Sequence, residues 1–249
     1  MTQSGGRILI GCAGWSLPRA VQPDFGPGAS HLTRYATRFR VTEINSSFHR
    51  SHKRSLYEKW AAAVPDGFGF CAKLPKTITH ERKLAGCEDL LATFLDEAGG
   101  LGDKLHCLLV QLPPKLEFDA ALAQTFLRQL RDRFHGALAC EPRHASWFTP
   151  EADALLAAFE VARVLADPVR HPPGRAPGGW QGRVYLRLHG SPRMYYSPYE
   201  PQLLQALAAR IAQAAAAGAE VWCIFDNTAS GAATGDALTL AKLLSDVGL

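Results

Sequence analysis

Short apolar runs alternate with longer amphipathic segments along the chain. Eight runs have the length and composition of buried strands: Ile8–Trp15, Val41–Phe48, Gly67–Leu74, Leu105–Pro113, Ala137–Arg143, Ala162–Asp167, Arg183–Gly190 and Glu220–Asn227. Apolar residues recur at helical spacing between several of these runs, most clearly over Asp119–Phe134 behind an Asp N-cap, and Pro201–Ala217 predicts a second helix. Strands that alternate with helices predict a parallel sheet covered by helices.

The number of units predicts the architecture. Eight strand–helix units in 249 residues match the size of a TIM-barrel-like (β/α)8 fold, so we predict one α/β domain over residues 1–249. An open doubly wound sheet is the alternative, but the sequence lacks a G-x-G-x-x-G or P-loop motif. Pro168–Trp180 contains four prolines and three glycines, so we predict that a loop replaces helix six.

Side chains alternate between the two faces of a strand, so the aliphatic set identifies the face that packs on the helices. In the seventh run, three aliphatic residues alternate with Tyr185, Arg187 and His189, which are therefore predicted to point inward. The same reasoning directs polar residues inward on five other strands: Glu43, Asn45, Lys73, Gln111, Glu141, Arg143 and Asp167. All of them are predicted to lie at the C-terminal ends of their strands, where barrel enzymes build active sites, although a structural polar plug is the alternative.

Three of the predicted inward residues are fixed cations, namely Lys73, Arg143 and Arg187. Arginine matches the oxygens of phosphate and carboxylate groups, so these residues predict a small anionic ligand. The alternative is that Arg143 only neutralises Glu141 on the same strand face. Lys73 also has the alternative role of a Schiff-base amine.

Two inward carboxylates, Glu43 and Glu141, are the predicted catalytic acid and base, with His189 as the rival for either role. Glu141 is assigned as the base because Arg143, two residues away, favours its ionised form. Glu43 is assigned as the acid because only Asn45 shares its inward face.

Further polar and aromatic residues near strand ends complete the predicted ligand contacts. The full set is Trp15, Asn45, Lys73, His80, Gln111, Arg143, His144, Trp147, Asp167, Arg187, Asp226 and Asn227. Strand parity leaves open whether Asp226 or Asn227 faces inward, and Tyr195, Tyr196 and Tyr199 are candidates to cap the mouth. Metal-ligand residue types are present, but three cations in the same mouth oppose a dication, so no metal and no cofactor are expected.

The composition of the chain limits the classes of partner and the cellular compartment that we expect. The net charge is +4, from 27 Lys and Arg against 23 Asp and Glu, and so small a surplus does not argue for a nucleic-acid or membrane surface, although it leaves local patches open. The six cysteines form no C-x-x-C pair, and the sequence shows neither a secretory signal nor a membrane-length apolar run. We therefore expect reduced cysteines and a cytoplasmic protein with a small anionic ligand, with nucleic acid as the alternative and no prediction of oligomeric state.

Several short motifs also resemble a known family. They are Gly11-Cys12-Ala13-Gly14-Trp15-Ser16, Glu43-Ile44-Asn45-Ser46-Ser47-Phe48, Lys73-Leu74-Pro75, Thr79-His80, Leu109-Val110-Gln111-Leu112-Pro113-Pro114, Glu141-Pro142-Arg143-His144-Ala145-Ser146-Trp147 and Arg187-Leu188-His189-Gly190. In number and order they resemble the YecE-like family, the domain of unknown function 72, from Ile8 to near the C-terminus. The resemblance implies a TIM-barrel-like fold and permits a nucleic-acid hypothesis through a suggested relation to barrel endonucleases.

The chain departs from the family pattern at three places. Asp226-Asn227 stands where the family typically has two asparagines, and His49 stands where a tyrosine is usual. The stretch after Ser16 lacks the usual aromatic-rich run. These departures concern contacts on the first, second and last predicted strands.

Overall fold

The computed structural model describes residues 5–246, so the two ends of the predicted domain, 1–4 and 247–249, lie outside the described residues. The strands are β1 (Ile8–Cys12), β2 (Val41–Ile44), β3 (Gly69–Lys73), β4 (Leu105–Gln111), β5 (Ala137–Glu141), β6 (Val161–Arg163), β7 (Leu165–Asp167), β8 (Gly178–Gly179), β9 (Arg183–Leu188) and β10 (Glu220–Phe225). The α-helices are α1 (His31–Tyr35), α2 (Arg54–Ala62), α3 (Glu88–Ala98), α4 (Ala120–Arg131), α5 (Pro150–Ala158), α6 (Pro201–Ala216) and α7 (Ala232–Asp246).

The strands form two sheets. One has the order β1-β10-β9-β7 and the other β2-β3-β4-β5-β6-β8, and every pairing is parallel except that of β6 with β8. A parallel bridge between Ala13 and Glu43 connects the end of β1 to β2. The α/β class and the parallel pairing are confirmed, whereas continuous pairing around one closed barrel is absent from the described residues.

The predicted strands are in the right places, but several end too late. In the runs that begin at Ile8 and Val41, the regular strands end at Cys12 and Ile44, and a 3₁₀ turn occupies Ser46–Phe48. Trp15 and Phe48 are apolar but follow the strand ends, so hydrophobicity alone did not mark where the strands stop. The predicted sixth strand is divided at Val164 into β6 and β7, which pair in different sheets.

The alternation of side chains separates two hydrophobic clusters. One faces the helices, and the other lies on the opposite strand faces and consists of Leu9, Ala13, Val41, Cys71, Cys107, Leu109, Ala139, Ala162, Val164, Tyr185, Trp222 and Ile224. The predicted parity is confirmed for β3, β4, β5 and β9. It is wrong for the sixth strand, where Val164 joins the inner cluster and Leu165 the outer one. The helix-side face of this strand carries Arg163 and Asp167, which hydrogen-bond to Asp153 and Tyr199, so its polar residues are not the inward ones.

The loop and helix predictions are confirmed with small changes in their bounds. The described segment Pro168–Trp180 contains no α-helix, only a 3₁₀ turn at Pro172–Arg175 and the short strand β8. Asp119 caps α4, because its side chain accepts a bond from the Leu122 amide at 3.0 Å. α4 ends at Arg131 rather than Phe134, and α6 ends one residue before the predicted Ala217.

The cysteines are part of the core. All six are buried, and none forms a disulfide. Burial raises the pKa of Cys12 to about 12, which keeps this thiol protonated and weakly nucleophilic. In the described part of the chain, no helix combines the length and apolar character needed to cross a lipid bilayer.

The Tyr35 hydroxyl connects the two sheets at β1 and β2. It accepts a bond from the Cys12 amide at 2.8 Å, donates to the Val41 carbonyl at 3.0 Å, and is fully buried. Tyr35→Phe is expected to lower the free energy of unfolding by about 2–3 kcal/mol, because it leaves two buried backbone groups without this partner. Urea unfolding checks this, with the exposed Tyr196→Phe as control. Equal stability of the two variants would show that these bonds do not hold the sheets together.

Candidate functional site

A buried arginine organises the charged residues at the C-terminal strand ends. Arg187, on β9, donates to both oxygens of Glu43, at 3.0 Å from Nε and 2.6 Å from Nη2. It also donates to Glu141 at 2.6 Å and to Asp226 at 3.1 Å. Arg187, Glu43 and Glu141 are fully buried, and Asp226 is 4% exposed. These four residues, called here the ionic cluster, come from both sheets.

His189 lies against the ionic cluster between two carboxylates. Its Nδ1 is 2.9 Å from an oxygen of Asp226, and its Nε2 is 3.0 Å from an oxygen of Glu141. Burial alone would lower the pKa of His189, but the Glu141 charge and the bonds to Asp226 and Glu141 outweigh it and raise the pKa above its ordinary value. The protonated ring can donate from both nitrogens, which suits this position.

The same contacts keep two carboxylates ionised. Burial would raise the pKa of Glu141, but the charges of Arg187, His189 and Arg143 hold it well below the usual range. Burial is likewise outweighed at Asp226, where Arg187 and His189 lower the pKa. The ionisation predicted for Glu141 agrees with this, although Arg187 contributes more to it than Arg143 does.

The acid role predicted for Glu43 does not agree with its contacts. Both of its oxygens accept bonds from Arg187, and the Tyr185 hydroxyl donates to one of them at 3.1 Å. The prediction assumed that Glu43 had no cation nearby, because Arg187 lies on a strand 144 residues away in the sequence. Sequence reasoning missed the Tyr185 contact, although the inward parity of Tyr185 was a signal for it.

Arg143 follows β5 and is only partly satisfied. One of its terminal nitrogens, Nη2, contacts Glu141 and lies 3.2 Å from Nε2 of His189. Its Nε is buried and has no hydrogen-bond partner among the described residues. The Arg143 side chain is 5% exposed, so its Nε–H can donate neither to bulk water nor to an acceptor in the described structure.

Lys73, at the end of β3, is the least satisfied cation of the site. It is 6% exposed, and its Nζ makes no hydrogen bond or ion pair with any described residue. Its Nζ lies over the ring of Phe48, 4.1 Å from the ring centroid. Burial, followed by the charge of Arg187, lowers the pKa of Lys73 to about 8, although Glu43, Glu141 and Asp226 oppose that shift.

Three further residues border Lys73 and His189. Asn45 donates to Asp226 at 3.4 Å, while its own carbonyl oxygen is buried without a partner in the described structure. The His80 ring lies 4.9 Å from the Phe48 ring, and burial together with the charges of Lys73 and Arg143 lowers the pKa of His80. The Tyr195 ring is 5.5 Å from the His189 ring and is 39% exposed.

The structure settles the parity of the last strand and places Gln111. Asp226 belongs to the ionic cluster, whereas Asn227 donates to Asp236 at 2.6 Å on the helix side. Gln111 ends β4 in register with Glu141. Its side chain makes no hydrogen bond within the described part of the chain.

Other predicted contact residues lie away from the ionic cluster and serve local packing. Trp15 packs edge-on against Trp60 and Phe70, with ring centroids at 5.1 and 6.4 Å. His144 bonds to Ser146 at 2.9 Å, and Trp147 donates to the Leu116 carbonyl at 3.0 Å.

The inward direction predicted for Asp167 is wrong. Its carboxylate accepts a bond from the Tyr199 hydroxyl at 2.9 Å, and Tyr199 packs in the outer hydrophobic cluster. Tyr199 therefore supports a loop instead of capping the mouth, whereas Tyr195 does lie over His189. The reversed parity of the sixth strand explains the error.

The side chains that could ligate a metal ion are already engaged in other contacts. No group of three or more His, Cys, Asp or Glu residues within 5–246 has an arrangement that could hold a metal ion. The carboxylate oxygens that could ligate a cation accept bonds from Arg187, Arg143 and His189 instead. The expectation that the site works without a metal stays a prediction.

These features define an α/β protein of parallel sheets that carries a buried ionic cluster at the C-terminal ends of its strands. The chain belongs to the family described as Protein of unknown function DUF72, whose model matches residues 9–248. The family resemblance seen in the sequence motifs is thereby confirmed.

Relatives and solved structures agree with this assignment. The chain is 33% identical to the UPF0759 protein YecE of Escherichia coli K12 over 106 residues, which is 43% of this chain and 38% of YecE. It is 28% identical to the UPF0759 protein YunF of Bacillus subtilis over 152 residues, 57% of this chain and 53% of YunF. The matches thus span about two fifths and about half of these relatives.

The fold is shared with crystal structures of two DUF72 family proteins. The protein from Enterococcus faecalis V583 gives a TM-score of 0.79 at 21% identity, covering 98% of this chain and 99% of that one. The protein from Thermotoga maritima MSB8 gives 0.77 at 21% identity, covering 96% and 99%. At these identities the similarity supports the fold alone.

Proposed function

We propose that the two sheets form one barrel-like unit whose C-terminal mouth binds a small phosphate- or carboxylate-bearing ligand. Three observations support the barrel. The Ala13–Glu43 bridge joins β1 to β2, β6 and β7 are consecutive pieces of one predicted strand, and the ionic cluster draws residues from both sheets. In this arrangement β6 and β7 together fill one of eight strand positions.

The observation that carries the ligand proposal is the pair of incompletely satisfied cations. Arg143 Nε is buried without a partner, and Lys73 Nζ, on a residue that is only 6% exposed, has neither an acceptor nor a counter-ion within bonding distance in the described structure. A buried donor without an acceptor is costly, and an anion at this place would accept from Arg143 Nε and lie near the Lys73 charge. With His189 protonated, the site also carries one more positive than negative charge, counting Lys73, Arg143, Arg187 and His189 against Glu43, Glu141 and Asp226.

The roles of the residues follow from these contacts. Arg187 donates to three carboxylates, so it holds the cluster together rather than contacting the ligand. Lys73 and Arg143 bind the anion, and Asn45 Oδ1 accepts a bond from a ligand hydroxyl. Both ring nitrogens of His189 are bonded, to Asp226 and Glu141, so His189 adds positive charge to the site and does not itself contact the ligand. The protein would then be a metal-independent binding protein, or an enzyme of the hydrolase or lyase type, for such a ligand.

Removing Arg143 tests this proposal. Arg143→Met is expected to weaken the binding of inorganic phosphate about 10- to 100-fold, because a charge-assisted hydrogen bond is lost. Isothermal titration calorimetry near pH 6.5 measures it. Arg54→Met is the matched control, because Arg54 is half exposed and pairs with Glu58 on the surface. Absence of phosphate binding by the wild-type protein, or equal affinities in both variants, contradicts the proposal.

A second candidate ligand is a single-stranded nucleic acid. Arg193 lies 3.8 Å from the centre of the Tyr196 ring, and Tyr195 and Tyr196 are both exposed beside the mouth. Exposed aromatic rings with arginine are typical of surfaces that stack bases and contact phosphates. The salt dependence of binding separates the two ligands, because several phosphate contacts give a steep slope and one small anion gives a shallow one.

A further inference from the structure

The amine of Lys73 has a setting that suits covalent chemistry. We propose that Lys73 forms an imine with the carbonyl carbon of its ligand, so that the substrate is an aldehyde or ketone that carries a phosphate or carboxylate group. This inference rests on the proposed anion site and extends it, because Arg143 would hold the anionic group while Lys73 bonds to the carbonyl carbon.

Lys73 lacks the polar partners that two other lysines, Lys76 and Lys104, have in the described structure. Lys76, three residues later, is half exposed and pairs with Glu81 at 3.3 Å. Lys104 donates to the carbonyls of Ala61 and Val64 at 2.8 and 2.7 Å. Lys73 is 6% exposed and has neither an acceptor nor a counter-ion within bonding distance in the described structure. It is a buried amine whose nitrogen is left free for a ligand.

The surroundings of Lys73 favour the neutral amine that imine formation needs. Burial and the charge of Arg187 bring the pKa of Lys73 to about 8, so about half of the amine is neutral at pH 8. Glu43, Glu141 and Asp226 act in the opposite direction but do not restore the ordinary pKa. The groups that reduce protonation therefore prevail over the three carboxylates.

A proton acceptor also lies near the amine. His80 packs against Phe48, the ring that Lys73 contacts, and its Nδ1 bonds to the Thr79 hydroxyl at 2.8 Å. Burial and the charges of Lys73 and Arg143 lower the pKa of His80, which makes its ring neutral around pH 7. A neutral imidazole can take the proton that Lys73 must lose before it attacks.

The proposed step balances without a further reactant. The lone pair of neutral Lys73 forms a bond to the carbonyl carbon, and the carbonyl π electrons move to the oxygen, which gains a proton. The nitrogen gives up its two protons in turn, one to replace the proton taken up by the oxygen and one to the hydroxyl as it leaves as water, and a carbon–nitrogen double bond remains. One amine and one carbonyl give one imine and one water, with no oxidation or reduction.

Reductive trapping tests the proposal on the intact protein. The probe is glycolaldehyde phosphate with cyanoborohydride, which reduces an imine to a stable secondary amine. Peptide mass spectrometry is expected to find Lys73 labelled at least about 10-fold faster than the exposed Lys76. Neutral glycolaldehyde is the matched probe, and it should lose most of the preference for Lys73. The labelling rate at Lys73 should rise with a midpoint near pH 8.

Separate outcomes distinguish this inference from the proposed function. Lys73 labelled no faster than Lys76, or labelled equally by the neutral aldehyde, overturns the imine proposal even if calorimetry shows phosphate binding. Absence of phosphate binding in calorimetry overturns the anion site itself.

Discussion

Arg187→Met is expected to lower the free energy of unfolding by about 3–5 kcal/mol, because it leaves buried carboxylates without their shared cation. Methionine has a similar length but no charge, so Glu43, Glu141 and Asp226 would face each other within the protein. Their mutual repulsion adds to the loss of four hydrogen bonds from the guanidinium. Urea unfolding near pH 7 measures the change.

Arg183→Met is a control on the same strand. Arg183 pairs with Glu220 at 2.9 Å near the opposite end of β9, and both side chains are partly exposed, so its loss should cost only about 1 kcal/mol. The deficit of the Arg187 variant should also shrink as the pH falls, because carboxylates buried together without a cation take up protons more readily than paired ones. A loss below about 1 kcal/mol in that variant would mean that Arg187 is not the centre of the cluster.

The stability of the wild-type protein is expected to depend on pH through the same residues. Folding lowers the pKa values of Glu141 and Asp226, so their contribution is present above about pH 4.5 and is lost as the pH falls through the folded values. Folding raises the pKa of His189, so its contribution is complete below about pH 6.5 and is lost as the pH rises through the folded value. These groups together predict a maximum between about pH 4.5 and 6.5, with stability lost on the acid side as Glu141 and Asp226 take up protons.

The His189→Gln variant isolates one side of this profile. The stability difference between wild type and variant should be largest below pH 6.5 and should diminish above it. Measurements stay below about pH 8. Above that pH, Lys73 loses its proton in the folded protein, and the loss of this unfavourable buried charge raises stability. Chemical unfolding at intervals of half a pH unit measures both curves. A constant difference across the range would show that His189 does not titrate with folding.

Much of the fold could be predicted because the inner face of the strands is apolar near their starts and polar near their ends. Eight apolar runs marked the strands, and the proline- and glycine-rich segment Pro168–Trp180 marked the missing helix. The division of the sixth strand at Val164 could not be predicted, since it depends on which neighbours pair with each half. Strand ends were also uncertain, because residues such as Phe48 are apolar but belong to turns.

The site could be predicted as a location but not as a set of pairs. Alternation placed Glu43, Glu141, Arg187 and His189 at the same end of the sheets, and the structure brings all four together. Which carboxylate pairs with which cation depends on strand order and on the reach of arginine, neither of which the sequence pattern contains. Loop residues such as Trp147 were harder to place, because their direction follows the turn and not strand alternation.

The ionic cluster also bears on the order in which the chain folds. Glu43 lies 144 residues before Arg187, and Asp226 lies 39 residues after it. Contacts so distant in sequence form late, because the entropy of closing the intervening chain must first be overcome. Until the two sheets meet, each of these side chains remains hydrated and carries its charge separately. The cluster therefore loses its water late in folding, after strands from both sheets have come into register.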